Sequence, residues 1–172
     1  MSDKDGVGVT VISHDSESRT MVDGYEEQGS YSRDIHYEGA SISPLVSLID
    51  ISQHCEQFIK YECYGSKLRY AACWVSRDSV KMTYCSGATP GSHKCACGLN
   101  NTCAPPSGSA NSPVYCNCDA NDNKWREDSG FLTNKIHVPV KQLRFGDTGY
   151  YGGQYDEQGY HTLGKFKCYG IT

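Results

Sequence analysis

Ten cysteines carry most of the chemistry available to this 172-residue chain. They stand at Cys55, Cys63, Cys73, Cys85, Cys95, Cys97, Cys103, Cys116, Cys118 and Cys168. An even count has two chemical readings, a disulfide framework or a thiolate metal site. Structural zinc takes cysteines with two to four residues between them, often with a histidine. Here the close pairs, Cys95/Cys97 and Cys116/Cys118, are separated by a single residue, and only His93 lies near them. The cysteines are therefore assigned to disulfides. Such bonds persist in oxidising compartments, which points to a secreted protein or an extracellular domain. The sequon Asn100-Asn101-Thr102 fits that route and makes Asn100 a candidate glycosylation site.

Asp119-Ala120-Asn121-Asp122-Asn123 alternates short oxygen side chains like the start of a calcium loop. The match then breaks: Lys124 stands where such loops need glycine, and Gly130 where they need a bidentate glutamate. Asp119, Asn121, Asn123 and Glu127 are the candidate calcium ligands, against an Asx-rich turn that satisfies its own backbone. Calcium is the one cofactor the residues suggest. The six histidines (His14, His36, His54, His93, His137, His161) fall in no nucleophile or metal motif, so an enzyme is not expected. Tyr150, Tyr151, Tyr155 and Tyr160 crowd a glycine-rich stretch with Asp156 and Glu157. Tyrosine gives a large contact area with few torsions, so these four are candidate ligand-binding residues. Trp125 is expected to be a core anchor rather than a contact.

The elements that must position these residues read as mostly β. Val7 to Ser13 is a β-branched run, a strand. Residues 14–31 read as loop, with a weak strand around Asp34 to Tyr37. Ser43 as N-cap and Pro44 as first helical residue open a helix to about Gln53. His54 to Tyr64 then changes period: Cys55, Gln57, Ile59, Tyr61 and Cys63 share one face of a strand. Residues 71–76 and 80–85 read as a hairpin in which Cys73 and Cys85 are equidistant from Ser79, close enough to bridge. Residues 87–113 are irregular loop. Ile136 to Phe145 reads as a strand that Pro139 demotes to an edge or bulge. Tyr160 to Tyr169 closes the chain. No repeat or linker divides it, so residues 1–172 are read as one domain.

Composition excludes other classes. Net charge is −4 with both signs interspersed, so no basic stripe exists to neutralise phosphates. No apolar run approaches the ~20 residues of a membrane span. Thirteen tyrosines against four phenylalanines suit a half-wet, surface-rich β architecture.

From Asp34 onward several motifs occur in order: YEGASIS (residues 37–43), HCEQ (54–57), Cys73-Trp74-Val75, KCACG (94–98), YCNCD (115–119), Trp125-Arg126, Asp128 to Leu132, Pro139-Val140 and Gly146-Asp147-Thr148. Together they resemble the fibrinogen-like domain of contactin-associated, neurexin-IV-like proteins. More distantly the chain is similar to fibrillar-collagen C-propeptides, around Cys63 and in the strand ending at Cys168. The resemblance implies an α+β, β-rich, fibrinogen C-terminal-like domain with a twisted antiparallel sheet, few short helices and long disulfide-stapled loops. It implies an N-terminal end truncated relative to a typical member. It also implies an extracellular adhesion or recognition module that binds a protein or glycan through surface loops. The alternative is a structural or oligomerisation domain like the propeptides. The likeness to collagen pairs Cys63 with Cys116 or Cys118, and Cys55 with Cys168, leaving the other bridges among Cys95, Cys97, Cys103 and the remaining member of Cys116/Cys118. Cys73 and Cys85 stand where the family pattern has aromatic residues, and removing them leaves the family's eight cysteines.

Overall fold

The alternating stretch Ser52–Tyr64 is the axis of the molecule. Its odd-numbered residues from Cys55 to Cys63 are buried while the even ones reach the surface, which is what a pleated strand with one wet face requires. The computed structural model describes residues 2–4, 7–68, 73–108, 113–149 and 157–171. Along the chain these hold β1 (Ser2–Lys4), β2 (Val7–Ile12), β3 (Thr20–Val22), β4 (Tyr31–Asp34), α1 (Ile42–Ile51), β5 (Ser52–Tyr64), β6 (Trp74–Val75), β7 (Lys81–Met82), α2 (Ala96–Asn100), β8 (Trp125–Leu132), β9 (Gln142–Phe145), β10 (Gln158–Leu163) and β11 (Phe166–Ile171), with a 3-10 turn at Asn117–Ala120.

The main sheet runs β1-β2-β11-β5-β10-β3, and β8 lies along the other edge of β5. All its pairings are antiparallel. β10 and β11 are one line of chain running back along β5. The register steps by one residue between them, from Leu163 opposite Ile59 to Lys167 opposite Glu56. The step falls at Gly164, whose N–H donates to the Phe58 carbonyl at 2.7 Å. A side chain there would press on the Phe58 Cβ at 3.0 Å, so glycine permits the bulge. The bend lets the β11 half pair with β2 and the β10 half with β3, giving the long strand two different neighbours.

A second sheet, β4-β9-β6-β7, covers the inner face. Between the sheets lie the fully buried Ile59, Tyr61, Trp74, Leu132, Leu143, Phe145, Leu163 and Phe166. Tyr61 stacks on Phe145 with centroids 4.2 Å apart and planes at 6°. α1 buries Leu45 and Ile49.

The architecture is α+β and β-rich with few short helices, as expected. Several boundaries differ. α1 begins at Ile42, with Ser41 in the cap position rather than Ser43. The strand sought at Asp34 to Tyr37 ends at Asp34, where its pairing with β9 ends. The hairpin keeps two-residue strands. Only Gln142–Phe145 of the expected 136–145 strand is extended, because residues 134–138 form a turn in which the His137 and Val138 amides donate to Asn134 O. β3 and β8 were not expected as strands.

Candidate functional site

The cysteines pair as Cys55–Cys168, Cys63–Cys118, Cys73–Cys85, Cys95–Cys116 and Cys97–Cys103. This places Cys118, not Cys116, against Cys63. The one cluster of potential metal ligands among the described residues is Cys95, Cys116 and Asp128. Two of its members are bonded to each other, so it is a disulfide beside a carboxylate and not a thiolate site.

Asp128 organises this region. It is buried on β8 and accepts the Asn117 amide at 2.8 Å and the Cys118 amide at 2.9 Å, one on each oxygen. Burial pushes its carboxyl up to about 6, while the two amides pull the other way. The Asn117 side chain donates to Glu127 O at 3.1 Å and the Ser86 hydroxyl to Asp128 O at 3.1 Å. The outer edge of β8 is thus covered.

The calcium candidates lie close in sequence but face different ways. The Asp119 Oδ2 accepts the Cys116 amide at 3.1 Å, turned inward at the start of the 3-10 turn. Asn121 takes a left-handed conformation (φ 48°). Asn121, Asp122 and Asn123 line a depression of about 440 Å³ with Gly65, Ser107 and Glu157. Glu127 is exposed and borders a different depression. Asp122 is engaged by Arg126 at 2.8 and 2.5 Å. Asn100 is exposed at the end of α2. Tyr150, Tyr151 and Tyr155 lie outside the described residues; Tyr160 is on β10.

The surface that stands out is the outer face of β8, β5, β10 and β3. Strand register places Tyr64 opposite Trp125 and Gln158, and Glu62 opposite Glu127 and Tyr160, with Met21 of β3 beyond Tyr160. Trp125 is 51% exposed, whereas Trp74 is fully buried. The expectation that Trp125 anchors the core is therefore corrected: alternation along β8 sends Asp128 and Leu132 inward and Trp125, Glu127 and Phe131 outward. Trp125 packs beside Tyr64 (5.6 Å, 50°) and Tyr160 (5.8 Å, 44°). The Arg19 guanidinium lies 3.5 Å over the Tyr160 ring and donates to Glu62 at 2.8 Å. That bond holds the Glu62 carboxyl below its usual range. Lys60 sits 3.6 Å from the same carboxylate. Arg19, Glu62, Trp125, Arg126 and Glu127 border a depression of about 310 Å³. The polar run Arg126 to Ser129 hid the strand that turns Trp125 outward, and nothing in sequence brings Arg19 to Tyr160.

The chain is 37% identical over 177 residues to Neurexin-4 of Drosophila melanogaster, covering 96% of this chain and 13% of that protein. It is a homologue of one segment of the neurexin-4 and contactin-associated proteins. Contactin-associated protein 1 of Homo sapiens is 36% identical over 167 residues, 94% of this chain and 11% of that protein. The protein of the same name in Mus musculus is 35% identical over the same length. The chain thus spans about an eighth of these relatives. No family model matches it. No helix among the described residues is long and apolar enough to cross a membrane.

Proposed function

We propose that this domain is an extracellular, non-catalytic recognition module of fibrinogen-like type, serving adhesion within a longer protein. The half-exposed Trp125, set between Tyr64 and Tyr160 and rimmed by the Arg19–Glu62 pair, is the observation that carries the reading. Tryptophan, tyrosine and arginine are the side chains that dominate binding energy at interfaces. Five disulfides suit an oxidising compartment. Four histidines have structural partners: His14 meets Gly164 O, His137 the Tyr84 hydroxyl, His161 the Tyr31 hydroxyl and His36 the Asp15 carboxylate.

Two of the relatives are named for association with contactin, so a contactin ectodomain is the first partner to try. Beads coated with the domain should retain cells or contactin, and Trp125→Ala should weaken retention about tenfold. Beads that retain neither would overturn the reading, and a concentration-independent trimer would replace it with an assembly role. Calcium is a separate proposal, and it rests on Asn121 and Asn123, which share a depression, without Asp119 and Glu127, which face elsewhere. A bound ion stabilises by mass action, so melting in calcium should exceed melting in EDTA; superimposable curves remove it.

A further inference from the structure

We propose that the Trp125 end of the outer sheet face binds a neutral saccharide; the proposal rests on the recognition reading above and names its ligand class. A pyranose ring has an apolar C–H face and a rim of hydroxyls that both donate and accept. The shelf offers a match to each part. Trp125 exposes half its surface beside the rings of Tyr64 and Tyr160, and the electron-rich face of an aromatic ring attracts polarised C–H groups. Glu62 and Glu127 accept hydrogen bonds from hydroxyls, and Arg19 donates to them, at the edge of the same depression.

Two further observations select the class. The first is charge. Arg19 and Lys60 both lie against Glu62, and Arg126 is held by Asp122 at 2.8 and 2.5 Å. With Glu127 on the same depression, three carboxylates (Glu62, Asp122, Glu127) balance these three cations, so the face offers no net positive charge to a sulfated or phosphorylated ligand. The second is size. The depression is about 310 Å³, at the small-molecule end of ligand sites. A stable protein interface covers about 800 Å² on each partner. A few sugar units fill such a shelf; a protein would have to extend well past it.

The chain itself supplies the assay. It has two tryptophans, and Trp74 is fully buried, so iodide quenching of the emission reports Trp125. The probes are neutral oligosaccharides ending in galactose, mannose or N-acetylglucosamine, with heparin fragments as the charged comparator. At least one neutral probe should shield Trp125 from iodide. On a glycan array, Trp125→Ala and Glu62→Gln should each weaken the same binding about tenfold or more, at unchanged melting temperature, and Trp125→Tyr should restore part of it. The proposal is overturned if no neutral saccharide binds above the Trp125→Ala background, or if only charged ones do. Cell-binding beads separate this failure from that of the recognition reading. Retention that survives enzymatic deglycosylation of the cells but is lost with Trp125→Ala leaves the module standing and makes the ligand a protein. Retention lost on both treatments supports the saccharide.

Discussion

Replacing Cys55 and Cys168 together by alanine tests whether the covalent frame acts chiefly on the unfolded chain. The two residues face each other across β5 and β11, with Cα atoms 4.1 Å apart. The strands stay hydrogen-bonded without the bridge, so the folded state changes little. The bridge spans 113 residues, and loop closure of that length is worth about 4.8 kcal/mol in the chain-entropy treatment. It does not act alone. Cys63–Cys118 lies inside it and short-circuits 55 residues; 113 less 55 leaves an effective loop of about 58 residues and about 4.2 kcal/mol. For a chain of this size that is a fall of roughly 8–16 °C in Tm. Cys97–Cys103 closes only 6 residues, worth about 2.2 kcal/mol. The assay is guanidinium denaturation of both double-alanine variants beside the wild type, with m-values compared. The Cys55/Cys168 variant should lose about 2 kcal/mol more than the Cys97/Cys103 variant. Equal losses, or the reverse order, would refute the reasoning and place the stabilisation in local packing.

Three shorter tests probe the interior. Asp128→Asn should cost about 2 kcal/mol, because each carboxylate oxygen accepts a peptide N–H and an amide can offer only one oxygen; a neutral result in urea denaturation would refute this. Gly130→Ala should cost about 3 kcal/mol, since a Cβ there would sit 2.7 Å from the Gly87 Cα and the Ser86 carbonyl. Gly108→Ala, where a Cβ meets nothing within 4 Å, should be near neutral, and equal melting of the two variants would dismiss the steric argument. The third test is pH. Burial pushes the His161 imidazole down to about 4 from an ordinary 6.5. Between those values the unfolded chain binds a proton that the folded protein refuses, so stability falls as pH drops from 6.5 to 4. His161→Gln removes that loss. The stability of the wild type relative to the variant should shrink by on the order of 3 kcal/mol across the window, and parallel curves would rule the titration out.

Legibility in the sequence followed periodicity. His54 to Tyr64 was readable because eleven residues of alternation have one structural solution, and the strand gains only Ser52 and Gln53 at its start. β8 was not, because Glu127, Asp128 and Ser129 look like loop residues until Asp128 is seen to serve as an acceptor for two amides. β3 is three residues long and exists because β10 offers it an edge; a strand that short carries no period of its own. The bridges followed the same division. Cys73 and Cys85 were paired by their symmetric spacing about Ser79, whereas the choice between Cys116 and Cys118 depended on the 3-10 turn that aims neighbouring side chains apart. The exposed aromatic face was the least legible part. The tyrosine-rich stretch contributes only Tyr160 to the ring cluster, which combines it with Tyr64 and Trp125 from two other strands and with an arginine that precedes a fourth.

The disulfides and the aromatic shelf are parts of one design. A ligand that stacks on exposed rings gains little if those rings must first be ordered, because ordering is subtracted from the binding energy. Tyr64 and Trp125 end their strands, where fraying is greatest. Cys63, next to Tyr64, is bonded to Cys118, and Asp128, three residues from Trp125, accepts the Cys118 and Asn117 amides. One short turn therefore ties together the ends of β5 and β8 that carry two of the three rings. On the third side, Glu62 fixes Arg19 against Tyr160. A buried cystine and a buried carboxylate on the inner face thereby hold a wet aromatic surface on the outer one. The half-exposed Trp125 ring therefore stands on a backbone that is already fixed.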